Sequence, residues 1–273
     1  MPNAPKNALD ERLRSLERRL WWHPKRHEVI RHLHNLMALV DLQRLEAVRQ
    51  HFDARIAQAG AESRYKYFDV AYYGLQKLLL AYQLGLAEGR PRRVLDIGTG
   101  AGHFPLVCSY FGHSVVGIDI VNPVYEQIAE CLAVRRMIAG VQPGERLPPL
   151  GGTFDMITAC NITFDEIRTP DRRKQRSYWS LAEWQFFFDD LVANQLRYPG
   201  RIYLKLNKQW RGRFLGLDRL AFDHRLLMKA ARDGMAVSHW RGTIDATFPR
   251  QRTVSILPPS ASTILSRDRA TPG

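Results

Sequence analysis

Apolar positions recur along this chain in two rhythms, and the change of rhythm divides it. Leu9, Leu13, Leu16 and Leu20 fall on one face of a helix. Ile30, Leu33, Met37 and Val40 repeat that spacing, and Leu45, Val48, Phe52 and Ile56 repeat it again before a stop at Gly60. His23-Pro24 separates the first two stretches, because proline ends one helix or opens the next. A fourth helix is predicted over 65–86, with Phe68, Ala71, Tyr72, Leu75 and Leu79 on its apolar side. Residues 1–62 therefore read as a helical N-terminal extension.

From residue 93 the apolar positions gather into short solid runs. Val94, Leu95 and Ile97 suit a buried parallel strand. Gly98, Gly100 and Gly102 follow at once, then a helix over 105–111 that Gly112 ends. A second run covers 115–120, with Asp119 near its end. Asn122-Pro123 opens a helix over 121–134, since proline suits a first helical position. A weak third strand over 136–141 and a loop rich in proline and glycine over 142–152 come next. A buried strand is predicted over 154–160 and a helix over 180–196, where Ser180 and Glu183 have capping-box spacing. A strand over 201–206, a helix over 217–231 and two closing strands over 237–240 and 253–257 complete an α/β domain at 63–257. Residues 258–273 form a polar tail, read as flexible.

The 273 residues, 45% hydrophobic and 25% charged, have ordinary globular composition and room for one large domain with an appendage. Cys108, Cys131 and Cys160 are an odd number without CxxC spacing, so neither a disulfide framework nor a zinc site is expected, and a reducing cytoplasm is. The N-terminus carries no long apolar run, so no signal peptide or spanning helix is expected. A net charge of +13 points to an anionic partner: a phosphorylated molecule, a nucleic acid or an anionic membrane surface.

The glycine stretch carries the clearest chemistry. Glycines at a strand-to-helix turn let the backbone bend sharply and approach a ligand closely. An acidic residue roughly 20 positions later, at the tip of the next strand, is placed to bond ribose hydroxyls; Asp119 stands there. The pattern is GxGxG and not the GxGxxG of dinucleotide enzymes, which suggests a nucleoside ligand without a pyrophosphate. Asp96, the acidic residue of the first strand, would favour a cationic group on that ligand.

VLDIGTGAGHF followed by VVGIDI resembles the first two motifs of the class I S-adenosylmethionine-dependent methyltransferases. The resemblance covers about 70–256 in layout and is specific over 93–120. It implies a Rossmann-like, mostly parallel seven-stranded sheet with helices on both faces, and S-adenosyl-L-methionine as cofactor. In that family the residues matching Asp96, Gly98, Gly100 and Gly102 surround the methionine part, and the one matching Asp119 holds the ribose. Thr99, Ile120 and Asn161 join them as expected cofactor contacts. The helix before the first strand covers the crevice in the family, so Tyr72, Tyr73 and Gln76 are expected near the methionine end.

Methyl transfer needs a positioned acceptor and, where the acceptor is a hydroxyl, a base. Asp165 is the candidate base by layout, with Glu166, His103 and His239 behind it. No metal-ligand set assembles, so no metal is expected. Arg172, Arg173, Lys174 and Arg176 offer a basic loop for acceptor phosphates. The reading is O-methylation of a small or glycan-type anionic acceptor, because no aromatic-basic stripe for nucleic acid stands out. Two alternatives stay open. Asn161-Ile162-Thr163-Phe164 partly resembles the (Asn/Asp)-Pro-Pro-aromatic motif of nucleic-acid amino-methyltransferases, without either proline; the other alternative is a non-catalytic cofactor binder. Trp21, Trp22, Lys25, Arg26, His27 and Arg31 make the preface either a surface-binding arm or helices packed on the domain or a second subunit, which would give a homo-oligomer; packing is preferred.

Overall fold

The computed structural model describes residues 4–59, 66–162, 164, 179–206, 210–214, 217–220, 223–238 and 241–251. In chain order the helices are α1 (Ala4–Arg19), α2 (Arg26–Met37), α3 (Leu42–Ala59), α4 (Val70–Leu84), α5 (His103–Tyr110), α6 (Pro123–Cys131), α7 (Leu181–Asp190) and α8 (Asp223–Arg232). The strands are β1 (Arg93–Ile97), β2 (Ser114–Asp119), β3 (Arg136–Ile138), β4 (Phe154–Cys160), β5 (Leu196–Lys205), β6 (Trp210–Phe214), β7 (Leu217–Leu220), β8 (Ala236–Ser238) and β9 (Thr243–Phe248). The fold is α/β, with a seven-stranded sheet of order β3-β2-β1-β4-β5-β9-β8 and a two-stranded sheet of β6 and β7. Contacts divide the chain into two compact units, residues 1–138 and 139–273.

In the first unit, β1, β2 and β3 pair in parallel, and solid runs such as Val94 to Ile97 are buried as such strands require. The preface packs on the helices of this unit. Val29, Leu33, Leu36 and Met37 form the buried face of α2, and α4 meets that face at Gly74. A Cβ on Gly74 would stand 3.1 Å from Met37 Cε and 3.3 Å from Leu36 Cδ2, so a small residue allows the close approach. His32 Nδ1 lies 2.7 Å from the Tyr110 hydroxyl of α5. The Asp41 N–H donates to the Cys131 carbonyl at 3.0 Å, joining the start of α3 to the end of α6.

Helix α4 starts later than the periodicity predicts. A 3-10 turn, Lys66–Phe68, precedes it, and Asp69 caps it by accepting the Tyr72 N–H at 3.0 Å. The same carboxylate binds Arg12 of α1, with Nε at 2.9 Å and Nη2 at 2.5 Å. Two helices therefore depend on one aspartate. Helix α6 opens as its sequence implies: Pro123 is its first residue, and Asn122 Oδ1 accepts the Val124 and Tyr125 N–H groups.

In the second unit, β4 and β5 pair in parallel, β9 runs antiparallel to β5, and β8 runs antiparallel to β9. The Ser180–Glu183 capping box is formed in both directions. Three expectations are corrected here. Helix α7 ends at Asp190, a π-helical turn spans Leu191–Gln195, and β5 begins already at Leu196. The helix predicted over 217–231 is strand β7 followed by α8, because 217–220 pairs with β6 in the register Phe214↔Leu217. The partner of β8 is Thr243–Phe248 and not 253–257, which lies outside the described residues. Its Ile244, Ala246 and Phe248 are buried in alternation, as a half-buried strand requires. None of Cys108, Cys131 and Cys160 is in a disulfide. No described helix is long and apolar enough to cross a membrane.

Replacement of Asp69 should separate its two roles. Asp69→Ala is expected to lower the free energy of unfolding by about 1–2 kcal/mol, the range for a lost N-cap. Asp69→Asn keeps the capping oxygen, drops only the charge beside Arg12, and is expected to lose less than about 1 kcal/mol. Chemical denaturation of the two variants measures both; equal losses would assign the stability to the ion pair.

Candidate functional site

β1 and β2 lie in register with Asp96 opposite Gly117 and Ile97 opposite Ile118. The chain then leaves β1 through Gly98, Gly100 and Gly102, at φ of 69°, 59° and 86°. These values fall in the left-handed region, where a Cβ is strained. The turn is bound to the neighbouring strand donor by donor. The Gly98 and Thr99 N–H groups both reach the Ile118 carbonyl, at 2.8 and 3.1 Å. The Gly100 N–H reaches Asp119 Oδ2 at 2.6 Å.

The glycines are there for different reasons. A Cβ on Gly102 would come within 2.9 Å of Val134 Cγ1, so this glycine makes room for protein. A Cβ on Gly100 would meet nothing within 4 Å. The space beside Gly100 is left open beside the carboxylate that its own N–H binds. A fourth glycine belongs to the site from below: a Cβ on Gly117 would stand 2.9 Å from Thr99 Oγ1 and 3.2 Å from Pro105 Cγ. The sequence reading passed over Gly117 because it sits inside an apolar strand run.

Asp119 spends part of its acceptor capacity on the protein. Oδ1 takes the Ile120 N–H at 2.8 Å and Oδ2 takes the Gly100 N–H. A carboxylate has about four acceptor positions, so two remain for a vicinal diol. Arg136, which the sequence reading did not single out, is the counter-charge. Its side chain is 3% exposed, with Nη2 3.9 Å from Asp119 Oδ2 and Nη1 3.7 Å from Glu126 Oε1. Nη2 also donates to the Ile120 carbonyl at 3.2 Å. Ile120 and Val121 follow Asp119 with exposed side chains, a suitable apolar edge for a flat ring. Asp96 is buried at the end of β1.

α5 begins at His103, directly after the turn, and His103 is fully buried. Tyr73 of α4 lies over its ring at 5.1 Å between centroids, and Tyr67 at 6.3 Å. Tyr125 of α6 meets Tyr67 edge-on at 5.1 Å. Of the α4 residues expected here, Tyr73 joins this cluster, Tyr72 turns an aromatic face to Arg12, and Gln76 is exposed. Burial, with Lys77 nearby as the second cause, pushes the His103 imidazole down to about 3. It is neutral at physiological pH and a poor proton acceptor, which removes it from the candidate bases. Its Nε2 and Thr99 Oγ1 are buried without a protein hydrogen-bond partner.

Asp96, Gly98, Thr99, Gly100, Gly102, Asp119 and Ile120 thus come together at the carboxyl ends of β1 and β2 in the first unit. S-adenosylmethionine fits this set: an open glycine cradle and a carboxylate with free acceptor positions for the ribose. Asn161 follows β4 in the second unit at φ 60°, its N–H donating to the Lys205 carbonyl at 2.8 Å. Phe164 is buried against Trp179, Trp184 and Phe187, at 4.9, 4.4 and 5.4 Å between centroids. Its ring is a core element and is not free to stack on a base. Asp165, Glu166, the basic loop Arg172 to Arg176 and His239 lie outside the described residues.

Comparison with known proteins matches residues 69–175 to a family model described as a methyltransferase domain. No curated protein matches the chain by sequence. Among solved structures, it is similar to an amino pentose methyltransferase of calicheamicin biosynthesis from Micromonospora echinaspora, at 23% identity and TM-score 0.37, over 52% of this chain and 54% of that one. It is also similar to the PH0226 protein of Pyrococcus horikoshii, at 19% identity and TM-score 0.35, over 50% and 56% of the two chains. The chain spans about half the length of these proteins.

The buried imidazole predicts a specific acid sensitivity. An unfolded histidine takes up a proton below its ordinary value of 6.5, whereas His103 stays neutral in the fold down to about 3. The unfolded state therefore binds more protons in that window, and stability falls as pH drops through it. Between about pH 7 and about pH 5 the loss from this group is expected to be roughly 2 kcal/mol. His103→Leu should remove that part of the slope; denaturation of both proteins across the window measures the difference, and identical slopes would refute the assignment.

The match to a methyltransferase-domain model begins at the N-cap of α4 and takes in the glycine turn and Asp119, and residues 69–175 are similar to that domain.

Proposed function

We propose that this chain transfers a methyl group from S-adenosylmethionine to an oxygen of a small or glycan-type anionic acceptor. The observation that carries the cofactor half of this reading is the open space at Gly100 beside Asp119. When bound, the sulfonium supplies an activated methyl group, and the protein's part is to position and to handle protons. Asp119 holds the ribose diol through its two remaining acceptor positions. Gly98, Gly100 and Gly102 let the backbone come close to the methionine part, and Asp96 opposes its positive charge. Ile120 supports the adenine. Asn161 is proposed as a further cofactor contact and Asp165 as the base that takes the acceptor's proton.

The acceptor half rests on charge. A net +13 draws anions toward the molecule, and the basic run offers bidentate partners in Arg172, Arg173 and Arg176 and a point charge in Lys174 for phosphate or carboxylate. A nucleic-acid acceptor is the weaker reading, because the buried Phe164 leaves the partial amino-methyltransferase motif without its stacking ring.

Two variants test the cofactor site by binding alone. Asp119→Ala is expected to weaken S-adenosylhomocysteine by roughly 1–3 kcal/mol. Gly100→Ala places a methyl group in the open cradle; it should cost about 1–2 kcal/mol of stability through its positive φ and weaken the same ligand by at least as much. Calorimetry reads the affinities, and unchanged affinity in both variants would overturn the site. For the acceptor, incubation with methyl-tritiated cofactor and fractionated cell extract should label a small anionic fraction. Asp165→Asn should slow that labelling by about a hundredfold or more while leaving S-adenosylhomocysteine affinity intact. Label in RNA or DNA would replace the proposed acceptor, and no label in any fraction would make the chain a non-catalytic binder.

A further inference from the structure

The turn between α1 and α2 has a feature that methyl transfer does not use. Leu20 is buried at 2% exposure and anchors the turn, yet Trp21 and Trp22 stand out from it at 75% and 63%. The turn is built to hold them there. Successive bonds from the Leu20, His23 and Arg26 N–H groups to the carbonyls of Glu17, Leu20 and His23 tie its backbone. Lys25 reaches across to Glu88 and lies 5.2 Å over the Tyr82 ring, fastening the turn to the chain beyond α4. Exposing two adjacent indoles on a fixed turn forgoes the burial of some of the largest apolar side chains available.

The surrounding charge says what meets them. Residues 18–27 read RRLWWHPKRH, with no carboxylate in the run. Arg18, Arg19 and Arg26 are exposed and have no carboxylate partner among the described residues. Paired indoles flanked by exposed arginines without carboxylate partners match the boundary of an anionic bilayer, where an indole sits at headgroup depth and arginine meets phosphate. Single-stranded nucleic acid is a poorer match, since it uses stacking rings spaced along a basic groove, and here the two rings are adjacent at a turn. No described helix can span a membrane, so the contact would lie on the surface.

We infer that the α1–α2 turn is a peripheral docking site for an anionic lipid surface, with Trp21 and Trp22 as its interfacial anchors. This goes beyond methyl transfer and does not depend on it.

Co-sedimentation of the full chain with vesicles tests the inference. Phosphatidylcholine vesicles containing phosphatidylglycerol should retain the protein, more weakly as salt rises, and phosphatidylcholine alone should retain far less. Trp21→Ser with Trp22→Ser should lower the apparent partition coefficient about tenfold or more. Arg18→Glu with Arg19→Glu should lower it roughly twentyfold or more, at about fivefold per cation removed. Thermal unfolding of both variants should match the parent, since all four side chains are exposed. Absence of vesicle binding by the parent, or undiminished binding by the tryptophan variant, would overturn the inference. So would vesicle binding kept alongside lost retention of a single-stranded oligonucleotide, which would assign the turn to nucleic acid.

Discussion

Three consecutive backbone donors, those of Gly98, Thr99 and Gly100, end on two adjacent residues of the next strand. Everything proposed for the cofactor depends on that ladder. It converts the β1–β2 register into the shape of the turn. A slip of one residue would carry Asp119 to the other face of the sheet and leave the Gly100 N–H without its carboxylate. The register is guarded by sterics as well as by hydrogen bonds. Gly117 must lack a side chain because Thr99 and Pro105 occupy the space above it. One hydrogen bond at 2.6 Å thus joins the acid that would hold a ribose to the glycine that leaves room for the ligand.

The helices around the ladder restrict what can reach it. Asp69 fixes the start of α4 and at the same time holds α1 through Arg12. That start brings Tyr67 and Tyr73 over His103, the first residue of the helix that leaves the glycine turn. The N-terminal helices are therefore more than an appendage. α2 presses on α4 at Gly74, the residue directly after Tyr73 of the aromatic cluster. Burial keeps His103 neutral, so the positive end of α5 and the uncharged imidazole lie together without an added cation.

Much of this was legible in sequence, and the reasons for the rest are specific. The strand Phe154–Cys160 and the Ser180–Glu183 box were readable because each is fixed by neighbours in the chain. The glycine turn was readable because glycines at positive φ have few substitutes. β9 was missed because Asp245 interrupts it; on the sheet that aspartate forms a two-bond pair with Arg201 of β5, at 2.7 and 2.6 Å. β7 was missed because Leu217 and Leu220 also fit a helical spacing, and only the register with β6 decides between them. Arg136 was missed for a similar reason. An arginine opening a short strand looks like surface until Asp119 and Glu126 are seen beside it.

Charge acts on two scales in this molecule, with opposite signs. The net +13 attracts anions from solution, but salt screens it over roughly 8 Å at physiological ionic strength. Beside the turn stand the carboxylates of Asp96 and Asp119, with the Arg136 guanidinium 3.9 Å from the latter, and charges shielded from water are screened far less. Local chemistry therefore decides what the turn holds, and the long-range field decides what approaches the molecule. Arg136 marks where the two scales meet. It stands 3.9 Å from Asp119 Oδ2, outside hydrogen-bond range, and so leaves the acceptor positions of that carboxylate open for a diol. A positively charged protein can in this way keep a site for a cationic ligand, provided that most of its excess lysine and arginine stands away from the acids of the turn.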